Sequence, residues 1–211
     1  SEKGASLVAA GLRYNLSAME MAKVSLPSRP RAYPEPAEEG EHIVAFVTSD
    51  GDNLRWLLGS FPSDPGHWGS PHRGTFPMTW HIGSLLEPYG SRGLRYYYEN
   101  AETGSGRDGF IASVGYNFPA LLPDIDAFAG KVNDAMTRAD MSVLTIINKD
   151  NSPMRSVAPI LEQPQVMGIL YKDFAPYNDY ELLQPGCCPC LVLGRNRGTD
   201  GSDKANRRSP P

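Results

Sequence analysis

The sequence predicts an α/β domain of mostly parallel β/α repeats, arranged as an open sheet of about five strands or as an incomplete barrel-like one. Three observations predict it. Short apolar runs alternate with helix-like segments about five times between Ile43 and Tyr180. The runs are too uniformly apolar to leave one face in water, as in strands covered on both sides. Polar and aromatic residues follow directly on them, at the edge where such sheets meet their ligands. Five units are too few to close an eight-stranded barrel.

The elements follow in order. Residues 1–40 form an N-terminal segment that ends in a Pro/Glu linker, Pro27 to Gly40. Ile43 to Thr48 reads as the first strand, and Asn53 to Gly59 as a short helix. Ser60 to Phe76 is a long loop rich in Gly, Pro and aromatic residues, the composition of many binding loops. Pro77 to Ile82 is the second strand. Pro88 suits the first turn of a helix that runs to about Asn100, because its missing N–H costs nothing there. Phe110 to Val114 is the third strand. Between Pro123 and Asp140, the residues Ile125, Phe128, Val132, Met136 and Ala139 step by three and four, which makes one apolar helical stripe. Val143 to Ile147 is a strand. Ser152-Pro153 signals an N-cap and first turn of a short helix limited by Pro159. Val166 to Tyr171 is the last strand of the 41–183 β/α domain. Residues 184–211 read as a disordered or aberrant tail, with disorder expected from about Gly194.

Composition narrows the function. The chain has 211 residues, 40% hydrophobic and 21% charged, which suffices for one domain with a good core. The net charge is −4, and Lys and Arg make no stripe before the tail, so nucleic acid is not an expected partner. No apolar run approaches the roughly 20 residues that span a bilayer. A start at Ser1 without a basic-then-apolar leader reads as a fragment or a processed form. Cys187, Cys188 and Cys190 are too tightly clustered for a tetrahedral zinc site, and their odd count gives no disulfide framework.

The stretch from His42 to Gly59 is the most informative. An apolar run feeds into Ser49-Asp50-Gly51-Asp52-Asn53, and a helix begins. Residues two apart in extended chain point the same way, so Asp50 and Asp52 can face one site. Close carboxylates share a proton, hold a metal, or divide into acid and base. Turn formation and helix capping by Asp52 or Asn53 explain the same letters. The other strand ends deliver Trp80 and His81, then Gly115, Tyr116 and Asn117, then Asn148, then Tyr171 and Asp173. Aromatic faces with Asp and Asn around them are how sugar sites are built, and an apolar wall with few polar groups is the general pattern of small-molecule sites. The structural alternatives are a core histidine for His81, a core indole for Trp80, a turn anchor for Tyr116, a cap for Asn148 and packing for Tyr171. In the long loop, Trp68 is a candidate to close over substrate, while His67 and His72 lack metal-ligand spacing.

These residues resemble a known family. Ser49-Asp50-Gly51-Asp52-Asn53 with Trp56, then Trp68-Gly69-Ser70-Pro71, then Gly115-Tyr116-Asn117-Phe118-Pro119, are similar to the C-terminal domain of the GxGYxYP putative glycoside hydrolases. Of the signature that names that family, the second Gly, the Tyr and the Pro stand at Gly115, Tyr116 and Pro119. Ser113 replaces the first Gly and Phe118 the second Tyr. Gly168-Ile169-Leu170-Tyr171 before Asp173 looks like the family's late strand. The resemblance covers about Ile43 to Tyr180. It implies a carbohydrate substrate, a barrel-like β/α scaffold and a secreted or envelope-associated protein.

The leading expectation is a glycosidase without metal or cofactor. Asp50, Asp52 and Asp173 supply its acid, base or nucleophile, and Asn53, Trp68, Trp80, His81, Tyr116, Asn148 and Tyr171 line its sugar site. One of Asp50 and Asp52 acting with Asp173 is favoured, since the first two stand close in sequence. The alternatives are a metal-dependent carbohydrate deacetylase or hydrolase, with Asp50, Asp52 and His81 as ligands, and a non-catalytic carbohydrate-binding domain.

Overall fold

Every apolar run marked as a strand, except the first, forms one. A computed structural model describes residues 23–29, 40, 44–48, 50–51, 53–113, 115, 118–148, 153–173 and 190–194. Its strands are β1 (Met78–His81), β2 (Asp108–Ser113), β3 (Val143–Asn148), β4 (Gly168–Asp173) and β5 (Cys190–Gly194). The helices are α1 (Leu54–Leu58), α2 (Leu86–Glu99), α3 (Ile125–Arg138) and α4 (Pro153–Leu161). The sheet runs β1-β2-β3-β4-β5, with the first four strands parallel and β5 antiparallel to β4. It is open rather than closed.

The order has a consequence for layering. Each of α2, α3 and α4 carries the chain to the strand next door, and all three pack into one core against the sheet. Trp80, Phe110, Ala112, Leu144, Ile146 and Ile169 share one face by register. They form one apolar core with Leu94, Tyr97 and Tyr98 of α2, Val132 and Met136 of α3, and Val157 and Ile160 of α4. Burying each large member is worth about 1.5–3 kcal/mol. His81, Ile111, Ser113 and Thr145 alternate with them and are also buried, so the opposite face of the sheet carries hydroxyls and an imidazole.

The apolar stripe of α3 behaves as its spacing predicts. Val132, Met136 and Ala139 are buried, while Ile125 and Phe128 pack partly buried against the core. Asp124 caps the helix by accepting the Ala127 amide at 2.9 Å. Two tyrosines of α2 tie its neighbours together: the Tyr97 hydroxyl donates to the Leu57 carbonyl, and the Tyr98 hydroxyl to the Ala139 carbonyl at 2.5 Å.

Two expectations are corrected. The Ile43–Thr48 run makes, among the described residues, a single parallel bridge, Val47 to Thr79, flanked by Thr48 N–H to Thr79 O at 2.9 Å and Thr79 N–H to Phe46 O at 2.8 Å. It lies outside β1 at the sheet edge, and Val44 and Phe46 are 74% and 55% exposed. The run is therefore not a buried strand. Conversely, Cys190–Gly194 lies in the region read as a tail, yet pairs antiparallel with Gly168–Lys172. Leu191 to Leu193 is the one apolar run there, and pairing gives its backbone groups partners along the β4 edge.

Candidate functional site

The C-terminal ends of the parallel strands form one edge, and the Asp50–Gly51 turn is fastened to it. Gly51 is buried and its N–H donates to His81 Nδ1 at 3.1 Å. A Cβ on Gly51 would stand 1.5 Å from the His81 carbonyl oxygen, so only glycine permits the approach. His81 Nε2 meets Thr145 Oγ1 at 2.8 Å, and the His81 N–H donates to Thr48 Oγ1 at 2.8 Å. Ser113 ends β2 beside them. Its Oγ accepts the Gly115 N–H at 3.3 Å, and its carbonyl accepts the Ser84 hydroxyl at 3.2 Å. Histidine, hydroxyls and glycines thus bind the ends of β1 and β2, and Thr145 within β3, to the chain that carries Asp50.

Asp50 itself is exposed and has φ +61°. Asp140, the other non-glycine residue with positive φ among the described residues, follows the end of α3, where left-handed backbone ordinarily closes a helix. Asp50 closes no helix. Asp tolerates this region better than most residues, yet it is sparsely populated, and such outliers gather at functional sites.

The predicted site residues divide into several groups. Asn53 is the N-cap of α1, its Oδ1 accepting the Trp56 N–H at 3.1 Å, so the capping alternative holds for it. Trp68 is 2% exposed and Trp80 4%; their rings meet edge-on, with centroids 5.2 Å apart, inside the core. Neither offers a face to a sugar, which corrects the expectation of a closing loop and a stacking platform. The physical reason lies in the loop. Its turns are linked by N–H to C=O bonds from Ser63 to Ser60, His67 to Asp64, Ser70 to His67 and Arg73 to Ser70, and these press Trp68 inward. Asp64 in this loop accepts the Gly66 amide at 2.8 Å and faces His67; the amide first, then the imidazole, hold its carboxyl below the usual carboxylate range.

His81 is 2% exposed, and both ring nitrogens are engaged inside the protein. That arrangement suits neither a metal ligand nor a direct sugar contact and corrects both expectations. Asn148 and Asp173 end β3 and β4 as register partners, and Tyr171 pairs with Ile146. The backbone thus brings Asn148 and Asp173 side by side to the same edge. Asp52 and Tyr116 lie outside the described residues. Sequence reasoning missed Thr48, Ser113 and Thr145. The available signal was a hydroxyl residue inside or ending an otherwise apolar run.

A cavity of about 340 Å³ opens near this edge between the β2–α3 connection and α4, lined by Pro119, Leu122, Pro123, Ile125, Arg155 and Ser156. Its size falls in the range of small-molecule pockets. Among the described residues there is no group of three or more His, Cys, Asp or Glu that could hold a metal ion, and no helix long and apolar enough to cross a membrane.

A parallel β/α layer with a polar edge at the strand C-terminal ends is the arrangement in which α/β proteins hold their ligands. Residues 40–184, more than half of the chain, match the GxGYxYP putative glycoside hydrolase C-terminal domain, and the chain belongs to that family. A putative hydrolase from Bacteroides thetaiotaomicron VPI-5482, known from a crystal structure, is 27% identical over 76% of this chain, with a TM-score of 0.65. The chain spans about a third of that protein, 32% of its length. No curated protein sequence matches the chain.

Proposed function

We propose that the protein is part of a glycoside hydrolase acting on a polysaccharide or oligosaccharide by carboxylate acid/base catalysis, with Asp50 as one catalytic carboxylate. The observation that carries the reading is Asp50 itself: an exposed carboxylate in left-handed backbone, on a turn fastened to the C-terminal edge of a parallel sheet in a family of this description. Asp173, at the end of β4 on that edge, is its partner. Asp52 and Tyr116 enter through the family resemblance, and the cavity beside Arg155 is a sugar subsite. Residence outside the cytoplasm or in the envelope belongs to the same proposal.

The strand order bears on stereochemistry. Val47 and β4 are four ladder spacings apart, about 19 Å along a flat sheet. Carboxyl separation distinguishes the two outcomes, ~5–5.5 Å for retaining enzymes and ~6.5–9.5 Å for inverting ones. The anomer first released in an NMR time course reads which of the two operates.

The test is a reducing-end assay on pectin, xylan, mixed-linkage β-glucan and glycosaminoglycans, using a full-length version and its Asp50→Asn and Asp173→Asn variants. Turnover that both variants lose is the expected result. Turnover untouched in both would refute the assignment and leave the carbohydrate-binding reading. Chelator-sensitive turnover would instead favour a metal-dependent hydrolase.

A further inference from the structure

We infer that His81 is the positioning residue of this site: a neutral imidazole, carrying its proton on Nε2, that holds the Asp50–Gly51 turn against the sheet edge without touching substrate. The inference rests on the assignment of Asp50 as a catalytic carboxylate, but its structural half stands on separate observations. An amide N–H can only donate, so Gly51 N–H at 3.1 Å requires the lone pair on His81 Nδ1. The proton then sits on Nε2 and donates to Thr145 Oγ1 at 2.8 Å. The main chain of His81 is held by Thr48 Oγ1, which belongs to the segment leading into Asp50. One residue therefore grips the turn from two sides, through Gly51 and through Thr48.

Two close packing contacts accompany that grip. The Gly51 Cα lies against the His81 carbonyl, and a Cβ built on Gly83 would come within 2.9 Å of the Gly51 oxygen. The turn cannot slide along the edge without a clash. Asp50 stands one residue before this clamp, in left-handed backbone that surrounding structure must maintain. A carboxylate displaced by even an ångström loses much of its catalytic effect, so a rigid anchor one residue away is a functional requirement. Thr145 extends the anchor to β3, on the far side of β2, so the turn's position depends on three strands at once.

The test uses the full-length protein. His81→Asn places an acceptor where Nδ1 was, His81→Gln places a donor where Nε2–H was, and His81→Phe keeps neither. In ¹⁵N-histidine spectra the wild-type ring is expected as the neutral Nε2–H tautomer near neutral pH. Exchange of the Gly51 amide should quicken about tenfold or more in His81→Phe and His81→Gln, and stay within a few-fold of wild type in His81→Asn. On the polysaccharide cleaved fastest in the screen above, kcat should fall with exchange protection and recover in His81→Asn, with KM little changed. Thr145→Val, which leaves the imidazole in place, should give a smaller effect in the same direction. Where His81→Phe does not fold, the contrast between the Asn and Gln variants carries the comparison. A wild-type exchange rate in His81→Gln overturns the anchor. A protected Gly51 amide with kcat lost in His81→Asn overturns the positioning role, because His81 would then act on substrate directly. If Asp50→Asn keeps full turnover, the Asp50 assignment fails, while the exchange data still decide whether His81 holds the turn.

Discussion

The indole N–H of Trp80 donates to the buried carboxylate of Asp108 at 2.6 Å. Asp108 opens β2, at the end of the sheet opposite Asp50. Its other oxygen takes the Arg73 guanidinium at 2.5 Å and the Glu102 amide at 2.8 Å. Arg73 in turn lies 4.3 Å over the Trp68 ring. Trp80 and a cation stacked on Trp68 thus converge on one carboxylate far from the proposed site.

Asp108 is accordingly a stability residue. Asp108→Ala leaves Arg73 and the Trp80 N–H without their shared acceptor and should cost about 3–5 kcal/mol in urea unfolding, the range for a broken buried ion pair. Turnover per folded molecule should be unchanged at low temperature. A variant of wild-type stability would contradict the accounting.

Trp68 should respond as core rather than as a binding loop. Trp68→Ala removes a 2%-exposed indole packed on Trp80, Tyr97 and Phe110, for an expected loss of about 3–5 kcal/mol. Trp68→Phe should recover much of it. Glycan affinity by calorimetry should be the same in Trp68→Phe and wild type; a tenfold weaker affinity would restore the substrate-closing role.

Asp50→Gly separates strain from function. Glycine accepts φ +61° freely, so stability should stay level or rise by up to about 1 kcal/mol, while turnover is lost. Thermal melting with the reducing-end assay reads both. A drop in melting temperature together with retained turnover would mean that the carboxylate serves the fold.

Alkaline pH should unfold the protein through Tyr97 and Tyr98. Burial, first among the causes for each, raises both phenols well above their ordinary range near pH 10. The neutral phenol is the form the folded state favours. Its stabilisation is therefore complete below about pH 10 and declines above it, because the unfolded chain ionises first. In a phenolate absorbance titration of the ten tyrosines, Tyr97 and Tyr98 should ionise only together with unfolding. Early ionisation of all ten in the folded state would show that the pair is open to solvent.

The sequence by itself determined the order of elements, because strand-like runs and a 3.6-residue stripe are local properties. The β1 to β4 alternation, the α3 stripe and the start of α4 at Pro153 all follow from neighbours in the chain. It also marked the strand-end edge and the family, since both rest on short blocks. Tertiary structure alone decided which way each side chain went. Trp68 and Trp80 carry the same letter whether they face a sugar or a core, and the choice fell to Asp108, Arg73 and the linked turns, which lie up to 40 residues away. His81 was legible as a strand-end histidine, but its partners Gly51 and Thr145 sit 30 and 64 residues distant. The edge position of Val47 likewise depended on which strand it met, and Cys190–Gly194 became a strand only because β4 had an open side. Hydrogen bonds and packing between distant segments are set by the folded arrangement, and no local pattern encodes them.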